Sequence, residues 1–338
     1  MKKTARNITL TIAVIVVASL AAAYAVVSPY INTKAPESAT IIVTADGSPL
    51  AQLSQAEGAG FTSRVERILE WYKVDLSRRV GAYNIAAGES PLDVARKLRS
   101  YSQVGLKFTF HNLRTVEQLA EKASERFMMS KEELLNLLQD PAFCDSIGKT
   151  PETVAAIFFP DTYEFYYAVK PEKFVAFFAR QYTKFWNEER TAKAQGMGLT
   201  PEDVSIIASI AEEETAKSDE RGTVARLYIN RLQCGMKLQA DPTVKFAIGD
   251  FSLRRITRDH LNVESPYNTY LVKGLPPGPI RLPERATLEA VIDSQPHNYI
   301  YMCAREDFSG YHNFTSSYSQ HLANAARYHR ALDQRGVK

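Results

Sequence analysis

Cysteine is scarce in this chain, with three in 338 residues, at positions 144, 234 and 303. Spaced so widely, they do not form the framework of a small disulfide-stapled fold, and they lack the spacing of metal ligands. The six histidines make no HExxH or other paired motif, so neither a metal nor another cofactor is expected. Charge of one sign is also lacking. Lys and Arg number 41 against 38 Asp and Glu, a net charge of +3 that is not gathered into runs, which argues against a nucleic-acid partner. Internal repeats and low-complexity tracts are absent. What remains is a length sufficient for one large or two modest domains around a substantial core.

Charge is missing altogether from Ile8 to Val27, directly after Lys2, Lys3 and Arg6. As a helix this stretch is about 30 Å long, the thickness of a bilayer's hydrocarbon core. Ala23-Tyr24-Ala25 resembles a small-x-small signal cleavage site, but the apolar run exceeds the usual h-region of about 7–15 residues. The expectation is therefore a cytoplasmic tail at 1–7, an uncleaved anchor at 8–27, and everything beyond Val27 outside the cytoplasmic membrane.

Residues 28–40, with Pro29, Pro36 and Lys34, read as a tether. Ile41-Ile42-Val43, closed by Asp46-Gly47, reads as a strand. A helix over 63–72, a strand over 81–85, a helix opened by Ser90-Pro91 that runs to about 101, and a strand over 106–110 complete a small α+β unit at 41–110. The remainder, 111–338, reads as a larger α+β domain. Thr115-Val116-Glu117-Gln118 and Ser130-Lys131-Glu132-Glu133 are capping boxes for helices to about 127 and 138. Phe158-Phe159-Pro160-Asp161-Thr162-Tyr163-Glu164-Phe165-Tyr166 is dense in aromatics; it reads as core, with a sugar-stacking groove as the second reading. Helices over 174–186, 221–232, 286–292 and 320–332 and a strand over 299–303 follow. The prolines of 274–280 exclude helix and central strand.

The stretch that organises this domain is Thr200 to Lys217, a helix with a capping Thr200, Pro201 at its first position and Asp203 third. Set out at about 100° per residue from Ile207, Val204, Ile207, Ile210 and Ala211 share a face, and Glu214, at about 340°, lies among them. Glu212 at about 140° and Glu213 at about 240° fall on the flank or back. Two readings of Glu214 are open. It snorkels or pairs with Arg221 or Arg231, or its apolar setting raises its pKa and keeps a proton for general acid work. Raising a glutamate from about 4.3 to about 6 takes roughly 2.3 kcal/mol, which partial burial can supply.

ASIAEEET (208–215), LYINRL (227–232), GMKLQADPTV (235–244), SPYNTY (265–270), GLPPGPI (274–280) and the spaced Gly310, His312, Phe314 and His321, with FFPDTYEFY (158–166), together resemble the YceG-like family of membrane-bound endolytic murein transglycosylases. GAYNIAAGESPLDVARKL (81–98) resembles a LysM-like unit of cell-wall enzymes.

The resemblance implies cleavage of the MurNAc-β-1,4-GlcNAc bond within peptidoglycan strands without water, leaving 1,6-anhydro ends and fixing the length of new glycan. It assigns the acid to Glu214, the second acidic position of E-x-E-T. It also extends to Glu212, Asn230, Gln239, Asp241, Tyr267, Asn268, Tyr270 and His312 as groove residues, with peptidoglycan strands, the cytoplasmic membrane and peptidoglycan synthases as partners. Glu212 is alternatively a salt-bridge residue, Asp241 a turn former, His312 a structural hydrogen-bonding residue, and Asn230 either an orienter of Glu214 or a backbone-satisfying group. Ala240, Phe246 and Leu322 depart from the threonine, tyrosine and asparagine often found there. The competing classes are a lysozyme-type hydrolase, in which Asp241 or Glu212 places a water, and a wall-binding scaffold without activity.

Overall fold

The computed structural model describes residues 2–46, 49–253 and 256–335, with the side chains of 2–5 left aside. Gly47, half of the expected turn after the first strand, lies outside the described residues. The elements in order are α1 (Lys2–Asn32), β1 (Ala39–Val43), α2 (Ala51–Glu57), α3 (Ala59–Trp71), β2 (Gly81–Ile85), α4 (Pro91–Arg99), β3 (Leu106–Phe110), α5 (Val116–Ser124), α6 (Lys131–Gln139) and α7 (Pro141–Ser146). They continue with β4 (Asp161–Phe165), α8 (Pro171–Phe185), α9 (Glu188–Gly196), α10 (Pro201–Glu214), α11 (Arg221–Gln233), α12 (Asp241–Ile248), α13 (Arg285–Ile292), β5 (Tyr301–Ala304), β6 (His312–Thr315) and α14 (Tyr318–Gln334). The class is mixed α and β, as the patterning implies.

The chain divides into two compact units, the first comprising Met1–Phe108 with 126–128 and 164–169. In it β1 and β2 pair antiparallel, Ile41 opposite Tyr83 and Val43 opposite Gly81. Ile41, Val43, Tyr83 and Ile85 point to one buried face, which period-two alternation requires. Leu53, Phe61, Val65 and Leu69 from α2–α3 and Val94 and Leu98 from α4 close over it. The Ser90–Asp93 capping box with Pro91 sets the start of α4.

In α1, Arg6–Asn32 is long and apolar enough to cross a membrane. The helix runs past Val27 into the expected tether. Asn32 Nδ2 bonds Ser28 Oγ at 2.7 Å across that last turn, and Pro29 lies inside the helix. Beyond it Ala35 is buried and exchanges backbone hydrogen bonds with Gly88 and Glu89, each 2.8 Å.

The second unit comprises 109–125, 129–163 and 170–338. Phe158 and Phe159, which open the aromatic run, serve its core. Phe158, Phe159, Phe174 and Phe178 are fully buried, and the rings of Phe158 and Phe174 each stand 5.0 Å from Phe178. Thr115 caps α5, yet Gln118 turns its carbonyl to the N–H of Arg114 at 2.7 Å, so that cap is one-sided where a reciprocal box was expected. The elements not read from the sequence are short or polar: α2, α7, β4, α9, α12 and β6. The Gly274–Ile280 stretch adopts neither helix nor strand.

α10 is the axis of this unit, packed against α11, α12 and α13. Its capping box is present at Thr200 and Asp203. It stops at Glu214, three residues before the expected end, because Thr215 turns extended. There the Thr215 hydroxyl accepts the Lys217 N–H at 3.0 Å and donates to Glu220 Oε2 at 3.1 Å.

Candidate active site

Every residue from Val204 to Ala211 is buried, so α10 has no solvated face. Its last turn therefore delivers all three glutamates inward, and the placing of Glu212 and Glu213 on a flank or back is corrected: there is no back. The wheel measured direction along one helix and could not see what covered it.

The three carboxylates meet different partners. Glu212 ion-pairs with Arg281 Nε at 2.9 Å and accepts the Glu284 N–H at 2.8 Å. Burial raises its pKa against the pull of that arginine. Glu213 is clasped by Arg114 Nε and Nη2, each at 3.0 Å, and by Arg281 Nη1 at 3.1 Å. Glu214 receives no guanidinium among the described residues. Arg221 is engaged by Glu284 at 2.6 Å, and Arg231 by Lys237 O, Ile300 O and Gln239 Oε1 at 3.0, 3.2 and 2.5 Å.

What Glu214 has is the Tyr228 hydroxyl, which donates to Oε1 at 2.6 Å. Tyr228 is 2 % exposed, and burial followed by the nearby carboxylate keeps its phenol protonated, hence a donor. Burial pushes the Glu214 carboxyl up to about 7, with the Tyr228 bond opposing and the charge of Asp241 reinforcing that shift. A carboxyl titrating there holds its proton across much of the neutral range and can give it and take it back.

Glu214 opens on a cleft of about 360 Å³. Gln239, Asp241, Tyr270 and His312 line it. Gln239 sits at φ 51°, a left-handed conformation unusual for a side-chain-bearing residue, and is held there by the Arg231 bond and by its N–H on Thr269 O at 3.2 Å. The Tyr270 hydroxyl donates to Asp241 Oδ1 at 2.6 Å. His312 both lines the cleft and bonds Glu220, through Nδ1 and its backbone N–H, each at 2.8 Å.

Four expected groove residues lie elsewhere. Glu212 is sealed beneath Arg281. Asn230 Nδ2 donates to His297 O at 2.7 Å and Tyr299 O at 2.9 Å and does not orient Glu214; that contact belongs to Tyr228, two residues earlier on α11. Asn268 is fully buried and staples its own loop through Leu261 O and Val263 O at 3.0 and 2.8 Å. Tyr267 packs its ring 4.7 Å from Phe246, a phenylalanine that this contact suits. Of the other departures, Ala240 is buried, its N–H on Thr269 Oγ1 at 3.0 Å, and Leu322 is 51 % exposed.

The sequence reading missed Tyr228, although its position three residues before Arg231 placed both on one face of the expected helix. No group of three or more His, Cys, Asp or Glu able to hold a metal occurs among the described residues.

The model of the YceG-like family matches residues 48–327. The chain belongs to the YceG-like family. It is 27 % identical over 273 residues to the endolytic murein transglycosylase of Bacillus subtilis strain 168, covering 76 % of this chain and 75 % of that one. It is 24 % identical over 267 residues to the protein of that name from Streptococcus pneumoniae serotype 2, covering 69 % of this chain but only 48 % of the relative, so it spans about half the pneumococcal length. The crystal structure of a YceG-like protein from Listeria monocytogenes superposes with a TM-score of 0.59 at 23 % identity, over 85 % of this chain and 98 % of that one, which places the fold among YceG-like folds.

Proposed function

We propose that this YceG-like chain is an endolytic murein transglycosylase with Glu214 as its acid and base. The observation that carries the reading is a carboxyl without an ion pair among the described residues, raised to about 7 by burial, in an open cleft. Relatives from two genera bear the matching name.

Glu214 gives its proton to the glycosidic oxygen as the bond from C1 to that oxygen breaks. The carboxylate then takes the proton of the muramic acid 6-hydroxyl as its oxygen bonds C1. The leaving sugar departs with the first proton, the 1,6-anhydro ring closes, and the proton taken from the 6-hydroxyl returns Glu214 to its acid form, ready for the next bond. No second carboxylate and no separately bound water is needed, because the nucleophile is tethered to the substrate. Tyr228 holds the carboxyl in place through the cycle.

Asp241 on the same cleft favours a second reading, hydrolysis with Asp241 placing a water. Tyr270 takes only its Oδ1, and Glu212, the other candidate, is sealed by Arg281, so the hydrolytic reading rests on Asp241 Oδ2 alone. Mass analysis of muropeptides released from uncrosslinked glycan by the chain and by Glu214→Gln decides. Products lighter by one water, absent with the variant, support the proposal; hydrolytic masses or an unimpaired variant sink it.

The apolar helix Arg6–Asn32 supports a single-pass anchor with its basic end cytoplasmic and the cleft outside. The antiparallel β1–β2 pair with α3 and α4 supports a LysM-like unit at 41–110, followed by a catalytic domain at 111–338. A site tethered at the membrane suits strands newly delivered by synthases, where cutting sets glycan length.

A further inference from the structure

β5 and the first turn of α14 bring Tyr301, Tyr318 and His321 to the wall of the cleft that holds Glu214. The His321 imidazole lies 5.3 Å from the Tyr301 ring and 21° from parallel. The Tyr318 ring stands 5.6 Å from Tyr301 and 6.3 Å from His321. Three rings in contact commonly make core, yet Tyr318 is 59 % exposed. This cluster leaves aromatic surface uncovered beside the acid.

His321 adds direction to that surface. Its Nδ1 is buried and has no hydrogen-bond partner among the described residues, while the ring itself lines the cleft. Burial and then the charge of Arg231 hold its pKa below the ordinary histidine value, so the ring is neutral at pH 7 with one proton to place. A buried N–H without an acceptor is rarer than a buried bare acceptor. The proton therefore belongs on Nε2, a donor for which no hydrogen bond is made among the described residues. A carboxylate or phosphate ligand would call for a cation, and the guanidinium of Arg231 is already engaged by Gln239. A neutral donor beside aromatic faces suits a neutral acceptor on a ring with apolar faces.

We propose that Tyr301, Tyr318 and His321 form a subsite for one N-acetylhexosamine ring, its C–H face against the tyrosines and its acetamido carbonyl accepting from His321 Nε2. The subsite rests on the glycan-cleaving reading of the cleft and adds a contact that selects for N-acetylation.

The test uses the full chain in micelles carrying Glu214→Gln, titrated with the β-1,4 tetramer of N-acetylglucosamine and with cellotetraose, which has hydroxyls in place of the acetamido groups. The readouts are affinity and the ring ¹⁵N resonances of His321, assigned through His321→Gln. The N-acetylated tetramer is expected to shift the His321 resonances, and His321→Ala to weaken it about tenfold, the scale of one neutral hydrogen bond in a closed site, with cellotetraose affinity unchanged. Tyr318→Ala, at an exposed position, is expected to weaken both sugars. The subsite is overturned if the N-acetylated tetramer does not bind, if His321→Ala leaves its affinity intact, or if that variant weakens both sugars equally. Because these are binding measurements, they fail separately from the product-mass assay of the unsubstituted chain.

Discussion

The Tyr228 hydroxyl, in the middle of α11, donates across 2.6 Å to Oε1 of Glu214, the last residue of α10. A donor to the ionised form favours that form, so the bond works against the burial that raises the carboxyl to about 7. Tyr228→Phe removes the donor and keeps the ring. The alkaline limb of the pH–rate profile on uncrosslinked glycan is expected to move to higher pH while kcat falls roughly tenfold or more as the carboxyl loses its hold. An unmoved limb would contradict the role given to this bond.

Glu214→Gln is expected to stabilise the fold, with a definite sign in pH. The folded carboxyl keeps its proton up to about 7 while the unfolded one loses it near 4.5, so its protonated state favours folding at low pH and that advantage is lost as pH rises through this window. Glutamine carries no such dependence. Allowing for water in the cleft, the variant gains roughly 2 kcal/mol at pH 8 and little at pH 4.5, read as the difference in Tm between the two pH values.

Arg281 joins the other two glutamates, with its side chain 8 % exposed against 0 % for Glu212 and 13 % for Glu213. Arg281→Met leaves Glu212 buried and uncompensated, at a cost of about 3–5 kcal/mol. Adding Glu212→Gln is expected to recover much of that loss. A Tm that does not rise in the double variant would show that Arg281 acts through something other than this charge.

At Gly278 an added Cβ would lie 1.9 Å from the backbone carbonyl oxygen of Glu152. Backbone cannot swing aside as a long side chain can, so Gly278→Ala is expected to destabilise by about 1–3 kcal/mol or more. Thermal unfolding of the full chain measures it, and an unchanged Tm would mean that the two segments part freely.

The inward direction of Glu214 was legible because a single helix contains it. Its neighbours were not, because their roles depend on which helix covers which. Tyr228 and Asn230 are two residues apart on α11, and a wheel alone does not say which meets α10. Glu212 looked outward only because Arg281, 69 positions later, could not be placed beside it. The fold follows the same division. β2 and the cap of α4 were readable from alternation and from Ser90-Pro91-Leu92-Asp93, whereas β6 and α12 are short elements fixed by tertiary partners.

Asp241 provides the counterpart to Tyr228. Its charge raises the pKa of Glu214, and its own carboxylate accepts the Tyr270 hydroxyl at 2.6 Å. Asp241→Asn removes the repulsion while keeping an acceptor for Tyr270, so the alkaline limb is expected to shift to lower pH, opposite in sign to Tyr228→Phe. In the transglycosylase reading the products remain anhydro-ended and the rate at acidic pH falls only modestly. If Asp241 places a hydrolytic water, the variant instead loses turnover at every pH, and the parent enzyme's products carry reducing ends. The two readings therefore separate on one substitution, followed both by rate against pH and by product mass.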